Sequence, residues 1–316
     1  MKIAVMGSGG VGGYFGGLLA RAGHDLTFVA RGAHLKAMQQ NGLRVESAND
    51  GTFTVTSTAV EDTSQAGVQD LVLFTVKMFH NQSAIETIRP LVGPDTVILT
   101  LQNGVDNGDR LVAAFGEASV MIGSVLLEGR ITEPGVVMQG GPGKANFGEI
   151  QPGFTDRGQQ LLAVFQEAGW LVELHENMLD MLWKKFAYLS ASAAVCAVSN
   201  STIGEIRSVP ETREIIKQAS AEGFAVGRAR GAPIKDDAME WSMLSLDSFP
   251  AQGRSSMAKD FTEGKPVELE GLLGTVVRMG REVGVPTPVN DVLYAVLKPW
   301  ADRIKRENAA PAAKNP

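Results

Sequence analysis

The sequence predicts an α/β N-terminal domain built on a doubly wound, largely parallel sheet, followed by an all-helical C-terminal domain. Three observations predict it. A short β-branched and apolar run, Lys2 to Met6, enters a glycine loop that opens a helical pattern. Strand and helix patterns then alternate along the first half of the chain, as parallel sheets require. After His175 the strand patterns vanish and only helical periodicity remains.

The elements follow in order. The first helix runs through Leu18 and Leu19 to Ala22, where Gly23 stops it. Asp25 to Ala30 (DLTFVA) reads as a second buried strand. Between Gly42 and Ser57, LRVES-ANDG-TFTVTS has the alternation of an inserted hairpin, with Asn49-Asp50-Gly51 as its turn. Asp70 to Val76, Thr96 to Leu101 and Ala118 to Gly123 are further strands separated by helical stretches. The glycine-rich run Val136 to Gly148 is expected to add edge strands that close the sheet. Gln159 to Ala168 is helical, and Trp170 to Leu174 makes the last strand. Beyond it, Asn177 to Val198, Glu211 to Arg230, Val267 to Glu282 and Val289 to Lys305 carry helical periodicity. Pro210 and Pro266 stand where a first helical turn tolerates proline. The expected division is a sheet domain over 1–176, a helical domain over 177–307 and a disordered tail over 308–316.

Composition narrows the function. A formal net charge of −6 leaves no basic footprint for nucleic acid. The N-terminal apolar run is too short and too soon broken by glycine for a signal peptide, and no later run suggests a membrane span. The single cysteine, Cys196, fits a reducing, cytoplasmic setting and lies in an apolar run, where a buried bystander is expected. His24, His34, His80 and His175 are scattered without metal-ligand spacing.

Chemistry enters at the first glycine loop, Gly7-Ser8-Gly9-Gly10-Val11-Gly12. Gly7, Gly9 and Gly12 form GxGxxG between a strand and a helix, the context of a Rossmann dinucleotide site. The helix N-terminus offers free amides and a positive dipole end to a pyrophosphate. An NAD site usually places a carboxylate at the end of the second strand. Here that strand ends Val29-Ala30-Arg31, so Arg31 is the candidate partner of the 2′-phosphate of NADP.

With these residues in place, the sequence resembles the ketopantoate reductase family (2-dehydropantoate 2-reductases) from Met1 to about Pro299. The resemblance rests on MGSGGVGGYFG (Met6 to Gly16), Val76-Lys77, LQNGV (Leu101 to Val105), WKKF (Trp183 to Phe186) and SSMAKDFTEGKPVELEG (Ser255 to Gly271). It implies NADPH as hydride donor, a helical substrate domain and reduction of a 2-oxo acid to a 2-hydroxy acid, with ketopantoate in pantothenate synthesis as the leading substrate; separately, the helical domain offers apolar surface for a homodimer. By the same resemblance Lys77 lies beside the nicotinamide half of the cofactor, and Asn103 contacts nicotinamide ribose and substrate. Lys185 is then the catalytic lysine, while Ser256 and Glu268 hold the substrate's carboxylate end and hydroxyls. Lysine suits that role independently, because hydride arriving at a ketone leaves negative charge on oxygen that a cation or acid must meet.

One departure bears on substrate. Many members of the family carry asparagines four and eight residues after the catalytic lysine. Here Leu189 and Ala193 stand there, so two amides have become apolar groups. The reductase class survives that change, but selectivity for one 2-oxo acid is expected to weaken. A paralogous reductase of another branched 2-oxo acid and a non-catalytic NADPH sensor are the alternatives, and retention of Lys185 and Glu268 argues against the second.

Overall fold

A computed structural model of the chain describes residues 1–309. The chain forms two compact units, Met1–Met178 and the part beginning at Leu179. Among the described residues of the first unit, ten strands make one sheet. Its parallel half comprises β1 (Lys2–Met6), β2 (Asp25–Val29), β5 (Thr58–Val60), β6 (Leu71–Phe74), β7 (Val97–Thr100) and β8 (Val120–Glu133). Their spatial order is β5-β2-β1-β6-β7-β8, and the chain reverses direction of travel across the sheet between β1 and β6. This is the strand order of a Rossmann domain, whose ligands lie outside the carboxyl ends of the strands at that reversal.

Strands β1, β6 and β7 and the first half of β8 are mostly apolar and buried because both faces are covered. On one face Ile3, Val5, Phe28, Leu73 and Leu99 pack with Phe15 and Leu18 of α1 (Gly10–Arg21). On the other, Ala4, Val72, Phe74 and Ile98 pack with Ile85 and Ile88 of α3 (Asn81–Ile88) and Leu111 of α4 (Asn107–Phe115). The remaining helix at the carboxyl edge of β2 is α2 (Gly32–Asn41).

The inserted hairpin forms as read, from β3 (Leu43–Ser47) and β4 (Gly51–Val55). The run Val136 to Gly148 corrects the expectation of edge strands. It is one long interior strand, β9 (Val136–Gly148), antiparallel to β8 along its length. Its first residues also pair in parallel with β3, and its last with β10 (Leu171–Leu174). Val137, Ala145 and Phe147 are fully buried in it, while its central glycines absorb a register shift opposite Leu126–Glu128. Glycine thus marks a bulge rather than an edge. The unit's last helix, α5 (Asp156–Glu167), precedes β10.

The second unit is helical: α6 (Met178–Ser199), α7 (Ile203–Ser208), α8 (Pro210–Ala229), α9 (Ala238–Ser248), α10 (Ser256–Thr262), α11 (Leu273–Val283) and α12 (Pro288–Ala309). Pro210 opens α8 at its first turn. Pro266 does not open a helix; residues 265–272 are irregular, and α11 begins at Leu273. The tail expected from Asn308 is corrected at its start. Asn308 belongs to α12, and its side-chain amide donates to the carbonyls of Gly264 at 3.0 Å and Ile304 at 2.9 Å. The remainder of that tail, Ala310 to Pro316, lies outside the described residues. Among the described residues no helix is long and apolar enough to cross a membrane.

Candidate active site

The glycine loop is built by close approach at the carboxyl end of β1. Gly7 has φ +104°, and a Cβ there would lie 2.8 Å from the backbone nitrogen of Val76, so β6 sits directly against the loop. A Cβ on Gly12 would strike the Gly7 carbonyl. Thr75 at the end of β6 donates its hydroxyl toward the carbonyls of Met6 and Gly7 at 3.1 and 2.8 Å. Ser8 is buried, and its hydroxyl donates to the Val29 carbonyl at 3.0 Å, tying the loop to the end of β2. Gly10, placed among the cofactor contacts by sequence, also serves the fold, because its backbone packs against that of Gly129 in β8.

Helix α1 starts from this loop with Gly9 as N-cap, no side-chain cap and no acidic residue in its first turn. The first-turn amides of Gly10, Val11 and Gly12 have no carbonyl partner within the helix, and the dipole end faces outward uncompensated. A Cβ on Gly9 would meet nothing within 4 Å. Open space over bare amides and a positive helix end fits a pyrophosphate. Arg31 is exposed at the N-cap of α2, directly after β2. Its charge reaches His80 across the carboxyl edge: burial lowers the pKa of His80, and Arg31 lowers it further.

Lys77 follows β6 and caps the short turn Met78–His80. Asn103 follows β7 in the loop before α4. A buried amide chain joins these two positions, and sequence reasoning did not find it. The Gln102 side-chain nitrogen donates to the Val76 carbonyl at 2.6 Å and to the Asn81 amide oxygen at 2.7 Å. Asn81 donates to Asn107 at 2.8 Å, and Asn107 donates to the Asn103 carbonyl at 2.7 Å. The residue before Lys77 and Asn103 itself are therefore held by one network among buried amides. Only Gln102 carried a signal, as a letter of LQNGV.

In the second unit, the paired lysines of α6 separate cleanly. Lys184 is held by Asp180 at 3.1 Å and Asp237 at 2.6 Å. These carboxylates raise its pKa against the opposing effect of burial. Lys185 is also buried, and desolvation pulls it down from the ordinary 10.5 to about 8. The first lysine is an anchor; the second is tuned. Glu268 is buried in the irregular stretch before α11, where its carbonyl accepts the amides of Gly271 and Leu272. Ser256 is exposed at the first position of α10, after Ser255 caps that helix by accepting from Ala258 at 3.1 Å.

The Ser255 backbone amide lies close enough to the Cys196 thiol to favour its ionised form against burial, eleven residues beyond Lys185 and on the same side of α6. Ser256 thus stands toward the far end of the helix face that begins at Lys185. Between them on α6 lie Leu189, half-buried, and Ala193, buried. Cys196 itself is buried, and burial raises its thiol to about 11, so it is inert packing.

An α/β unit with a dinucleotide cradle, followed by a helical unit bearing a tuned, buried lysine, defines a pyridine-nucleotide-dependent oxidoreductase. The comparisons with known proteins narrow the class. The chain belongs to the ketopantoate reductase family: residues 3–152 match "Ketopantoate reductase PanE/ApbA", and residues 177–301 match its C-terminal counterpart. It is 30% identical over 94% of both chains to a 2-dehydropantoate 2-reductase of Nostoc sp.. It is 28% identical to the 2-dehydropantoate 2-reductase of Pyrococcus horikoshii, over 94% of this chain and 97% of that one. The crystal structure of a PanE/ApbA family ketopantoate reductase from Ralstonia eutropha superposes with a TM-score of 0.88 at 34% identity, covering 96% of this chain and 100% of the other.

Proposed function

We propose that the protein reduces a 2-oxo acid to the 2-hydroxy acid with NADPH, most directly 2-dehydropantoate (ketopantoate) to pantoate in pantothenate and coenzyme A synthesis. Lys185 carries this reading: a buried lysine whose ammonium is held at about 8, in the family that its flanking residues indicate. The relatives named 2-dehydropantoate 2-reductase support the substrate. The amides of Gly7 to Gly12 would hold the pyrophosphate, Arg31 the 2′-phosphate, and Lys77 and Asn103 the nicotinamide half. NADPH, when bound, supplies the hydride.

The protein's part is to meet the charge that develops on the carbonyl oxygen. The Lys185 ammonium attracts that oxygen electrostatically and then gives it a proton from Nζ. A pKa near working pH suits the transfer, since the amine is protonated before the step and gives the proton up readily during it. Glu268, Ser256 and Asn103 would hold the polar groups of the substrate. The carboxylate of Glu268 is buried, which strengthens any hydrogen bond it accepts from a substrate hydroxyl.

A second reading is favoured by Leu189 and Ala193, which offer no amide to the substrate: a paralogous reductase of another branched 2-oxo acid. One experiment separates the readings. NADPH consumption would be measured against ketopantoate, 2-oxoisovalerate and related 2-oxo acids. Ketopantoate turnover orders of magnitude above the rest supports the pantothenate assignment, and comparable turnover of several acids supports the paralogue. No turnover of any, with intact NADPH binding, would leave the sensor and overturn the enzymatic proposal. A cytoplasmic location suits the single buried cysteine. The homodimer reading draws on apolar side chains exposed on the second unit, among them Leu244 on α9 and Val292 and Val296, one turn apart on α12; light scattering would test it.

A further inference from the structure

The glycine loop is gripped from outside by a histidine that the proposed chemistry does not use. His34 lies in the first turn of α2 and is half-buried. Its Nδ1 is 3.0 Å from the backbone nitrogen of Gly135, and its Nε2 is 2.9 Å from the carbonyl oxygen of Ser8. The Gly135 amide can only donate, so Nδ1 is the acceptor. The ring proton then sits on Nε2 and is donated to Ser8. One tautomer of the neutral ring satisfies both contacts.

Each partner matters. Ser8 stands between the first two glycines of the loop, and its hydroxyl is already committed to Val29. With its carbonyl committed to His34, the residue is fixed on both sides. The contact takes a carbonyl and competes for none of the amides offered to a pyrophosphate. Gly135 is the turn between β8 and β9 (φ +80°); its carbonyl accepts the Arg44 amide at 2.9 Å, and a Cβ there would lie 3.0 Å from Ala37 of α2. The β8–β9 hairpin therefore reaches the loop twice, directly where Gly129 meets Gly10 and through the His34 ring at Ser8.

We propose that His34 is a positioning residue for the cofactor, locking the Ser8 carbonyl outward so that the following amides keep their direction toward the pyrophosphate. The inference rests on the reading that this loop binds NADPH, and the test keeps the two separable. NADPH affinity would be measured by cofactor fluorescence, and KM and kcat by NADPH consumption, for wild type, His34→Leu, His34→Gln and Arg31→Ala. Leucine keeps the bulk and loses both hydrogen bonds, so NADPH Kd and KM should rise about tenfold while kcat at saturating NADPH stays within about twofold. Glutamine has an amide that can donate to Ser8 and accept from Gly135, so it should recover most of the loss. A histidine that only packs would give the reverse order, with leucine tolerated and glutamine harmful, and that result overturns the proposal. If His34→Leu shows no cooperative melting transition, His34→Gln decides alone: near-wild-type Kd supports the role, and a tenfold loss refutes it. A wild type that binds no NADPH sinks the parent reading. Weakening by Arg31→Ala with none by His34→Leu sinks only this one.

Discussion

Raising the pH should switch this reductase off through one side chain. Burial holds Lys185 at about 8, whereas an exposed lysine keeps its proton to about 10.5. An acid that must be protonated to act loses rate in proportion to its charged fraction. For such a group about nine-tenths is charged at pH 7 and about one-tenth at pH 9, so kcat/KM should fall roughly tenfold between them and a further tenfold per pH unit above. The sign is fixed by the role: activity is full below the folded pKa and lost as pH rises through it. Initial rates of NADPH consumption across that range, with stability checked at each pH, would show the limb. Lys185→Arg removes it, because guanidinium does not deprotonate in this range, and leaves a slower but pH-independent enzyme. Lys185→Ala should cost about a hundredfold or more in kcat at pH 7. A wild-type profile flat to about pH 9.5, or an arginine variant that keeps the alkaline limb, would refute the assignment of the titrating acid to Lys185.

The remaining predictions concern binding and stability. Lys184→Ala should leave kcat within a few-fold but take the ammonium from the buried Asp180, which keeps the Lys235 amide, at a cost of about 1–3 kcal/mol visible as a lower melting temperature. If kcat collapses there and survives in Lys185→Ala, the catalytic lysine is the earlier one. Arg31→Ala should weaken NADPH about ten- to a hundredfold while sparing NADH, since only one coenzyme carries the 2′-phosphate; equal wild-type affinity for both by calorimetry would dismiss the arginine's role. Gln102→Ala removes the first amide of the chain, and with it the link to the Val76 carbonyl and the donor to the Asn81 amide oxygen. It should lower stability by about 1–3 kcal/mol and raise the NADPH KM, and unchanged values of both would show the chain to be idle.

What could be read in the sequence follows from how each element is buried. Strands β1, β6 and β7 are covered on both faces, so each appears as a mostly apolar run that no surface segment would carry. The hairpin announced itself through its Asn49-Asp50-Gly51 turn. Strand β9 was legible as strand but not as interior, because its glycines answer to a bulge opposite β8 and to pairing with β3, neither of which is local. Helix α7 passed unread although Thr202 and Glu205 form a capping box, a local signal that could have found it. Pro266 misled, since proline tolerance at a helix start is equally tolerance in a loop. At the site, Lys77, Asn103 and Arg31 stand where strand ends put them, soon after β6, β7 and β2. Asn81, Asn107 and His34 were invisible for a different reason. Asn81 and His34 meet partners far away in sequence, Asn107 turns back on the loop before its own helix, and an amide or imidazole among ordinary helix residues carries no mark of the group it will meet.

The parallel pairing of β3 with β9 imposes an order on folding. Ser47 meets Gln139 across 92 residues, so until those residues exist the β3–β4 hairpin lacks its sheet partner and is held by its own turn and by α1, whose Tyr14 donates to Asp50. During synthesis the hairpin rests on α1 with one backbone edge bare while four later strands of the parallel sheet are made. Pairing at such separation is slow, and a bare edge in the interval invites association between chains. Arg44, exposed, and Glu46, half-buried, pair at 2.9 Å on that strand and place charge along the waiting edge. Completion of this sheet is therefore a late event. The His34 contact with Gly135, in the turn that leads into β9, likewise waits until that turn has been made. The glycine loop is synthesised well ahead of Gly135, yet its outer support through His34 is complete only once that turn has been made.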